Sequence, residues 1–207
     1  MKRQQKVELL SELFETLVGE TADVFVLFVD LCGSTKFKQY CISSDIPDST
    51  WICRQLIFLQ RAAKIIRQYK GEVVKTIGDE IFAYFGITAE PEGVLKCAIE
   101  IIQGFGNFKP YKGGSRIVAK ASIDFGLTYN GSITDSTPFD PIGLPVDRCA
   151  RLNSLAKRNE ILFSKDFLSV AEEKSSAREF KVKYGYNVYL SDIEGIGKTE
   201  YFSILAE

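Results

Sequence analysis

The stretch VFVLFVDL constrains the fold of this chain more than any other. Seven of its eight residues are apolar, three are β-branched, and its one charged residue, Asp30, stands next to the end. A short, continuous apolar run of this composition indicates a central strand that is buried in the core. The fold is therefore expected to be built around this strand, with Asp30 at its end.

Length and composition predict a single folded domain. At 207 residues with 45% hydrophobic content, the chain can bury one substantial core. No repeat and no Pro/Gly/Ser-rich linker divides the sequence. Residues 5–17 are predicted to form a helix that ends near Gly19. We therefore expect an N-terminal helix within residues 1–19 and one domain over residues 20–207.

Charge and hydropathy exclude several classes of partner. The formal net charge is −1, so the chain has no overall basic field that would draw it to nucleic acid or anionic lipid. No apolar run approaches the roughly 20 residues that cross a bilayer, and the basic start MKRQQK is not followed by the apolar stretch of a signal peptide. We expect a soluble, cytoplasmic protein that binds neither nucleic acid nor membrane.

The cysteines and the missing histidine limit the chemistry. The five cysteines are scattered and lack paired CxxC spacing, which favours reduced thiols. The chain contains no histidine, and this excludes Ser-His-Asp catalysis, histidine-ligated zinc and imidazole bases. Any catalysis must therefore rest on carboxylates, lysines, arginines or metal ions.

Periodicity predicts the order β-α-β-β-α-β followed by further α/β elements. Residues 51–69 have apolar residues at helical spacing. The apolar face of this helix is expected to contain Ile52, Leu56, Leu59, Ala63 and Ile66. The sequence GEVVKTIGDEIFAYFG predicts a β-hairpin with Asp79 at its tip. The other expected elements are a helix over residues 91–105, one long strand or a pair in VAKASIDFGLTYNGSIT, a helix over residues 145–155, a strand over residues 160–163, and a hairpin of KYGYNVYL and TEYFSILA.

This order of elements is that of an α+β fold with a ferredoxin-like split βαβ core, in which helices flank a central antiparallel sheet. The first strand and the central hairpin are neighbours in such a sheet. Asp30 and Asp79 can therefore converge and hold a hard divalent cation. Either acid alone would more often be a turn or capping residue.

A small-residue turn follows Asp30 and leads into a helix. Its residues are Leu31, Cys32, Gly33, Ser34, Thr35 and Lys36. Such a turn presents backbone N–H groups to an anion and is a candidate phosphate cradle. Taken alone the signal is weak, because a glycine-serine turn before a helix is usually an N-cap.

Three segments resemble motifs of the class III adenylyl and guanylyl cyclases. VFVLFVDLCGST is similar to their first metal-binding strand, and GEVVKTIGDEIFAYFG is similar to their metal hairpin. DPIGLPVDRCARLNSLAKRNEILFS resembles their ribose and transition-state helix. The likeness runs from about Val24 to Ile204, with the three motifs in the family's order and spacing.

The resemblance implies a nucleotidyl cyclase, which closes a nucleoside triphosphate into a 3′,5′-cyclic nucleotide and releases pyrophosphate, with residues 20–207 as its catalytic domain. Asp30, Asp79 and the main-chain carbonyl of Leu31 would bind two Mg²⁺ or Mn²⁺ ions. Arg151 would neutralise the charge that grows on the α-phosphoryl group. The family's sites are shared across a head-to-tail homodimer, with the metal residues from one subunit and the arginine from the other.

The chain departs from the family pattern in three places. The ribose-side asparagine is Asp147, and the phosphate lysine falls at Glu194, where nearby Lys198 is an open substitute. The segment CISSDIPDST, residues 41–50, is extra. Asp147 and Glu194 keep open the alternative of a catalytically inactive, cyclase-like module that only binds nucleotide.

The two base-reading positions of the family fall at Lys75 and Asp140. A lysine donor beside an aspartate acceptor suits adenine, cytosine and uracil alike. Tyr40 and Trp51, at the ends of the extra segment, and Arg54 after it are candidates to fill the space of the second purine ring. A small free-standing cyclase with this insertion resembles the pyrimidine cyclases of bacterial Pycsar anti-phage systems, which make cyclic UMP or cyclic CMP for a separate effector. The favoured substrate is UTP, and ATP is the alternative.

Overall fold

The computed structural model describes residues 7, 10–14, 21–105, 116–130, 139–174 and 177–206. Within these ranges the strands are β1 (Thr21–Leu31), β2 (Glu72–Ile77), β3 (Glu80–Gly86), β4 (Ala119–Asn130), β5 (Pro141–Ile142), β6 (Glu160–Ser164), β7 (Asn187–Ile193) and β8 (Gly197–Leu205). The helices are α1 (Ser34–Ser43), α2 (Ser49–Gln68), α3 (Pro91–Gly104), α4 (Leu144–Leu155), α5 (Lys165–Lys174) and α6 (Ala177–Tyr184). Residues 10–14 are also helical. The rest of the expected N-terminal helix, with its end near Gly19, falls outside the described residues, apart from the helical Val7.

The central strand predicted from VFVLFVDL is β1. Its residues from Val24 to Val29 are all buried. Strand β3 pairs with one edge of β1 and strand β4 with the other, both antiparallel. The central position expected for this strand is therefore confirmed.

The sheet has the order β2-β3-β1-β4-β6-β8-β7, with β5 paired to β4. Its first four strands and the helices α2 and α3 form the split βαβ unit. The one parallel pair among the described strands joins β4 to β6. The α+β, ferredoxin-like prediction is confirmed, and β6, β7 and β8 extend the sheet beyond that core.

Side chains of β1 alternate between two apolar clusters on opposite faces of the sheet. Phe25, Leu27 and Val29 belong to the larger cluster. Helices α2, α3, α5 and α6 cover it with Phe58, Ile66, Leu95, Ile101, Phe167 and Phe180. The intervening residues of β1 lie in a smaller cluster with Phe82 and with Cys149 of α4. Two layers of helices thus enclose the sheet around β1.

Helix α2 buries a different face from the one that its apolar spacing predicted. Ile52 and Leu56 are exposed, Leu59 and Ala63 are only partly buried, and of the expected face only Ile66 is buried. The buried residues of the helix are Arg54, Phe58, Ala62, Ile65 and Ile66. Apolar residues occur nearly all round this helix, so periodicity alone could not select the face.

The chain beyond β6 differs from the sequence-based outline. Two helices, α5 and α6, follow β6, whereas no helix was predicted there. Lys183 and Tyr184, expected at the start of the final hairpin, are the last residues of α6. Strand β7 therefore begins only at Asn187. The aromatic ring of Phe180 is buried against Phe163, so this helix packs on the core.

Two expectations about the whole chain are met in part. All five cysteines are free thiols. None of the helices in the described ranges has the length and apolar character that crossing a membrane requires.

Replacing Gly71 with alanine should lower the free energy of unfolding by about 1–3 kcal/mol, the usual cost of overpacking a core. A Cβ atom on Gly71 would lie 2.5 Å from Cε1 of Phe85 and 2.8 Å from Cγ2 of Ile66. Urea unfolding monitored by circular dichroism measures the change. Gly86→Ala is the matched control, because an added Cβ there meets no atom within 4 Å. Equal stabilities for the two variants would contradict the close fit at Gly71.

Candidate active site

Asp30 and Asp79 meet at one end of the sheet. Asp30 lies opposite Glu80 of β3 and opposite Lys120 of β4. Asp79 immediately precedes Glu80 in the tight turn of the β2-β3 hairpin, where Gly78 takes a φ of 65° that favours glycine. The side-chain amide of Gln55, on α2, donates to the Gly78 carbonyl at 2.8 Å and holds this turn against the helix.

Asp30 is partly buried and lies near both acidic and basic side chains. Burial raises the pKa of Asp30, and the negative charge of Asp79 raises it further. Lys120 opposes this effect, with its Nζ atom 3.4 Å from Oδ2 of Asp30. Burial likewise raises the pKa of Glu80, although Asn153 donates to its Oε1 atom at 3.0 Å. The local excess of negative charge is suited to binding a cation.

The donor set at this end of the sheet fits hard divalent cations. Asp30 and Asp79 offer carboxylate oxygens, which Mg²⁺ and Mn²⁺ prefer. The described residues contain no cluster of three or more histidine, cysteine, aspartate or glutamate side chains that could enclose a metal. Magnesium is commonly held by one or two carboxylates together with substrate phosphates. Two acids with open positions beside them therefore match that mode of binding.

The turn after Asp30 forms the expected start of α1. Gly33 is the N-cap residue with a φ of 73°, and α1 begins at Ser34. The first N–H groups of an α-helix have no intrahelical partner, so those of Ser34 and Thr35 can bind an anion. The N–H of Cys32 instead donates to the Val118 carbonyl at 2.8 Å. The expected cradle thus begins at Gly33, and the Cys32 N–H is already occupied.

Two cations near this turn were missed in the sequence. Lys120 stands between two alanines at the start of β4, and its place opposite Asp30 follows from the pairing of β4 with β1, which no local sequence pattern predicts. Arg158 lies beside Gly33, with one guanidinium nitrogen 3.5 Å from the position of a Cβ on that glycine. No sequence signal identified Arg158, because it stands in a loop.

Arg151 and Asp147 lie on one face of α4, a single helical turn apart, and both are exposed. Together with Glu194 they line a cavity of about 370 Å³. Glu194 therefore shares the cavity of Arg151, at the position where the family resemblance implied a lysine. Lys198 lies opposite Asp192 in the β7-β8 pair and is exposed.

Lys75 and Asp140 form an ion pair, with Nζ 2.8 Å from Oδ2. The ammonium group of Lys75 lies 5.8 Å from the centre of the Phe82 ring. Phe139, next to Asp140, packs against Tyr84 with ring centres 5.0 Å apart. The structure thus brings the two expected base-reading residues together, beside aromatic rings.

The extra segment does not fill this region within one protomer in the way we expected. Trp51 donates to Asp48 at 2.8 Å and carries the ammonium group of Lys38 over its ring, so it is held beside its own helix. Arg54 is only 3% exposed and donates to a main-chain carbonyl at 3.2 Å. Tyr40 is 58% exposed, and among the described residues its hydroxyl has no hydrogen-bond partner.

Asp30 and Asp79 lie in a different region of the protomer from Arg151. Asn153 of α4 faces the acids, since it contacts Glu80. Arg151 precedes Asn153 by two residues, which on an α-helix is a rotation of about 200°. In the described part of the chain, no hydrogen bond or ion pair joins Arg151 to Asp30 or Asp79.

Comparison with known proteins gives one family and one fold. Residues 17–205 match the sequence family described as the adenylate and guanylate cyclase catalytic domain. Among curated protein sequences no relative matches. The guanylate cyclase domain of RhGC from Catenaria anguillulae, solved with GTP, is 20% identical, with a TM-score of 0.73 over 90% of this chain and 98% of that chain.

Two further solved structures have the same fold. The guanylyl cyclase Cya2 is 17% identical, with a TM-score of 0.75 over 90% of this chain and 93% of its own. The adenylyl cyclase CyaB from P. aeruginosa is 16% identical, with a TM-score of 0.67 over 89% of this chain and 94% of its own. At these identities the likeness shows the fold.

Asp30→Asn should stabilise the protein against unfolding in metal-free buffer near pH 7. The pKa of Asp30 is raised in the folded protein. Its stabilising contribution is therefore present at low pH and is lost as the pH rises through that raised pKa. Asparagine removes the charge and keeps an oxygen that can accept from Lys120.

The measurement is denaturant unfolding in a chelating buffer, repeated at about pH 4, where protonation of wild-type Asp30 should reduce the difference between the two proteins. Asp192→Asn, an exposed change on β7, controls for the loss of one negative charge. If Asp30→Asn unfolds at a lower denaturant concentration than the wild type near pH 7, the charge of Asp30 is not unfavourable in the folded protein.

Proposed function

This chain belongs to the family of adenylate and guanylate cyclase catalytic domains, and from this premise we propose that it converts a nucleoside triphosphate into a 3′,5′-cyclic nucleotide and pyrophosphate. The observation that carries the proposal is the meeting of Asp30 and Asp79 beside the start of α1. Carboxylates for metal ions and N–H groups for phosphate are what such a reaction requires of the protein.

Asp30, Asp79 and the carbonyl oxygen of Leu31 would hold two Mg²⁺ or Mn²⁺ ions. When bound there, the ions would activate the ribose 3′-hydroxyl group and would hold the triphosphate in a fixed position. The hydrogen bond of Gln55 to Gly78 keeps the hairpin turn, and with it Asp79, in place. Lys120 limits the repulsion between the acids before substrate enters.

The reaction forms one bond and breaks one. The 3′-oxygen attacks the α-phosphorus, its proton passes to solvent, and the bond from the α-phosphorus to the pyrophosphate oxygen breaks. Arg151 would donate to the α-phosphoryl oxygens as their negative charge grows. First-turn N–H groups at Ser34 and Thr35 would hold the leaving pyrophosphate.

A head-to-tail homodimer would complete the site. Within one protomer, Arg151 lines a cavity to which neither Asp30 nor Asp79 contributes. The proposal therefore pairs Asp30 and Asp79 with Arg151 of the partner subunit. Each dimer then contains two composite sites related by its symmetry axis.

UTP is the proposed substrate. Lys75 and Asp140 lie 2.8 Å apart and offer a donor next to an acceptor, which matches uracil O4 and N3–H. Aromatic side chains, Phe82 and Phe139, lie beside the pair and can limit the size of the base. By its resemblance to the Pycsar cyclases, the product cyclic UMP would be a second messenger that activates a separate effector in bacterial anti-phage defence.

Two alternatives rest on specific observations. Adenine also presents an acceptor next to a donor, so the Lys75–Asp140 pair suits ATP as well. Glu194 shares the cavity of Arg151 and would repel phosphate there, which favours an inactive nucleotide-binding module. One assay of the reaction products distinguishes these two alternatives from the proposed function.

The protein is incubated with an equimolar mixture of the four nucleoside triphosphates and Mn²⁺, and the products are identified by mass. Cyclic UMP is expected as the main product, with a preference over ATP of roughly 10–200-fold in kcat/KM, the range that a size difference in a pocket provides. Cyclic AMP as the main product would overturn the pyrimidine assignment. Metal-dependent binding without any cyclic product would overturn the enzyme assignment.

Lys75→Ala and Tyr40→Ala are the matched variants for base recognition. Lys75→Ala should weaken the use of every base that the lysine contacts, since it leaves an acceptor unpaired. Tyr40→Ala should raise the use of ATP relative to UTP if Tyr40 narrows the pocket in the assembled dimer. If the ratio of ATP use to UTP use is unchanged, the aromatic rings beside Lys75, and not Tyr40, limit the size of the base.

Mixing two inactive variants tests the shared site. Asp79→Ala should be inactive, and Arg151→Ala should lose on the order of 100–1000-fold in kcat. After subunit exchange the mixture should regain about a quarter of wild-type activity, because about half of the dimers are mixed and each has one intact site. Native mass spectrometry confirms the exchange. An inactive mixture after confirmed exchange would contradict composite sites.

A further inference from the structure

We propose that the ion pair between Arg148 and Asp124 fixes the position of Arg151 by holding α4 in one place on the sheet. The inference rests on the proposed function, because it concerns the arginine of that reaction. The side chain of Arg148 is 15% exposed and that of Asp124 is fully buried, so neither is placed to contact substrate. The two residues are therefore positioning residues, which act on the reaction through Arg151.

Both carboxylate oxygens of Asp124 accept hydrogen bonds inside the protein. Arg148 donates to them twice, from Nε to Oδ2 at 2.6 Å and from Nη2 to Oδ1 at 2.7 Å. Oδ1 also accepts from the hydroxyl of Ser164 at 2.6 Å and from the N–H of Phe125 at 2.7 Å. A guanidinium group that is held through two bonds has a fixed direction as well as a fixed distance.

Arg148 joins α4 to two other elements. Through Asp124 it is bound to β4, and through a second carboxylate, that of Asp166, it is bound to α5. Ser164 directly precedes α5, and its hydroxyl accepts from the N–H of Phe167 at 3.1 Å while it donates to Asp124. One network of polar side chains thus attaches α4 to β4 and to the start of α5.

The contacts on either side of the ion pair bring α4 close to β4. The hydroxyl of Ser122 donates to the main-chain carbonyl of Cys149 at 2.7 Å. At Gly126, an added Cβ atom would lie 2.9 Å from Cγ of Pro145, so the helix approaches the strand closely there. Residues 122, 124 and 126 alternate along the strand and share one face. The ion pair is the charged member of this row of contacts between β4 and α4.

Arg151 has no comparable support of its own. It is exposed, and among the described residues no hydrogen bond or ion pair holds its guanidinium group. It follows Arg148 by three residues, which is less than one helical turn, so the placement of α4 decides where its side chain begins. A misplacement of about 1 Å in a group that acts on the reacting atoms can cost on the order of 100-fold in rate.

Stability is a weak reason for a buried ion pair. The cost of removing two charges from water offsets much of their attraction, and uncharged side chains of similar volume are often as stable. The paired geometry of a guanidinium and a carboxylate is more specific, because few relative orientations satisfy both bonds. A neutral replacement should therefore keep the fold and lose the exact placement of α4.

The double variant Asp124→Asn/Arg148→Gln tests the inference, since it leaves no buried charge without its partner. Its melting temperature should stay close to that of the wild type. For the nucleoside triphosphate that the wild type uses, kcat should fall by roughly tenfold to a hundredfold, with little change in KM. Lys165→Gln/Glu200→Gln is the matched control, because it neutralises an exposed ion pair of 2.9 Å, and it should keep the wild-type kcat.

Arg148→Lys is a second variant with a smaller expected effect. It keeps the positive charge but not the paired geometry, so its kcat should lie between those of the wild type and the double variant. It replaces the double variant if thermal melting shows that the double variant is unfolded. Wild-type kcat in the folded double variant, or in Arg148→Lys where that variant replaces it, would overturn the inference.

Mixing variants separates an effect on Arg151 from damage to the whole protomer. The double variant mixed with Asp79→Ala should regain about a quarter of wild-type activity, because each mixed dimer combines intact acids with an intact arginine in one site. Mixed with Arg151→Ala, it should keep only its residual activity, because the arginine is then impaired in both sites. Rescue by Arg151→Ala, or rescue by neither partner, would overturn the inference.

Hydrogen–deuterium exchange distinguishes failure of the inference from failure of the proposed function, because it needs no activity. Amide exchange in α4 should be faster in the double variant than in the wild type, with exchange in β1 unchanged. If the wild type makes no cyclic nucleotide but α4 responds in this way, the enzyme assignment fails and the positioning role stands. If the wild type makes cyclic nucleotide and the double variant keeps its kcat, the enzyme assignment stands and the inference fails. An inactive wild type with unchanged exchange in α4 overturns both.

Discussion

The burial of β1 on both faces is the constraint on which the rest of the structure depends. Its side chains alternate between two apolar clusters, so helices must cover the sheet on both sides. Strands β3 and β4 pair with its two edges and fix its register. Asp30 therefore lies at a fixed position at the end of β1, between Glu80 of β3 and Lys120 of β4. A charge this close to a buried strand is unfavourable unless cations balance it.

That requirement explains the arrangement of charges at this end of the sheet. With no histidine in the chain, carboxylates and cationic side chains have to provide all the ionic chemistry. Asp79 adds to the negative charge at Asp30 instead of relieving it, and Lys120 relieves only part. The protein on its own thus keeps an unfavourable cluster of acids. Such a cluster is retained against its cost where a bound cation compensates it, which is the role given to it here.

The sequence predicted the parts of the fold that local patterns determine. The apolar run of β1, the Gly78-Asp79 turn and the helical spacing of α3 each specify an element without reference to the rest of the chain. The meeting of Asp30 with Asp79 followed from the topology, because the first strand and the central hairpin are neighbours in a split βαβ sheet.

The remaining features depend on tertiary contacts that no local pattern contains. Helix α2 is apolar on more than one side, and packing on the sheet selected the face with Phe58 instead of the face with Ile52. Arg54 was expected near the base, but it is buried and donates a hydrogen bond to a main-chain carbonyl. Arg158 stands in a loop, and only the anchoring of that loop at Ala119 brings its guanidinium group to α1.

The separation of Arg151 from the acids follows from the same packing. The hydrogen bond between Asn153 and Glu80 fixes the rotation of α4 about its axis, with Cys149 buried against β1 on the inner side. Once that rotation is fixed, Arg151 has to point to the opposite side, two residues or about 200° away. Turning the helix to bring Arg151 to Asp30 would expose Cys149 and break the contact at Glu80. The protomer therefore keeps the two halves of the proposed site apart, and in our proposal the partner subunit joins them.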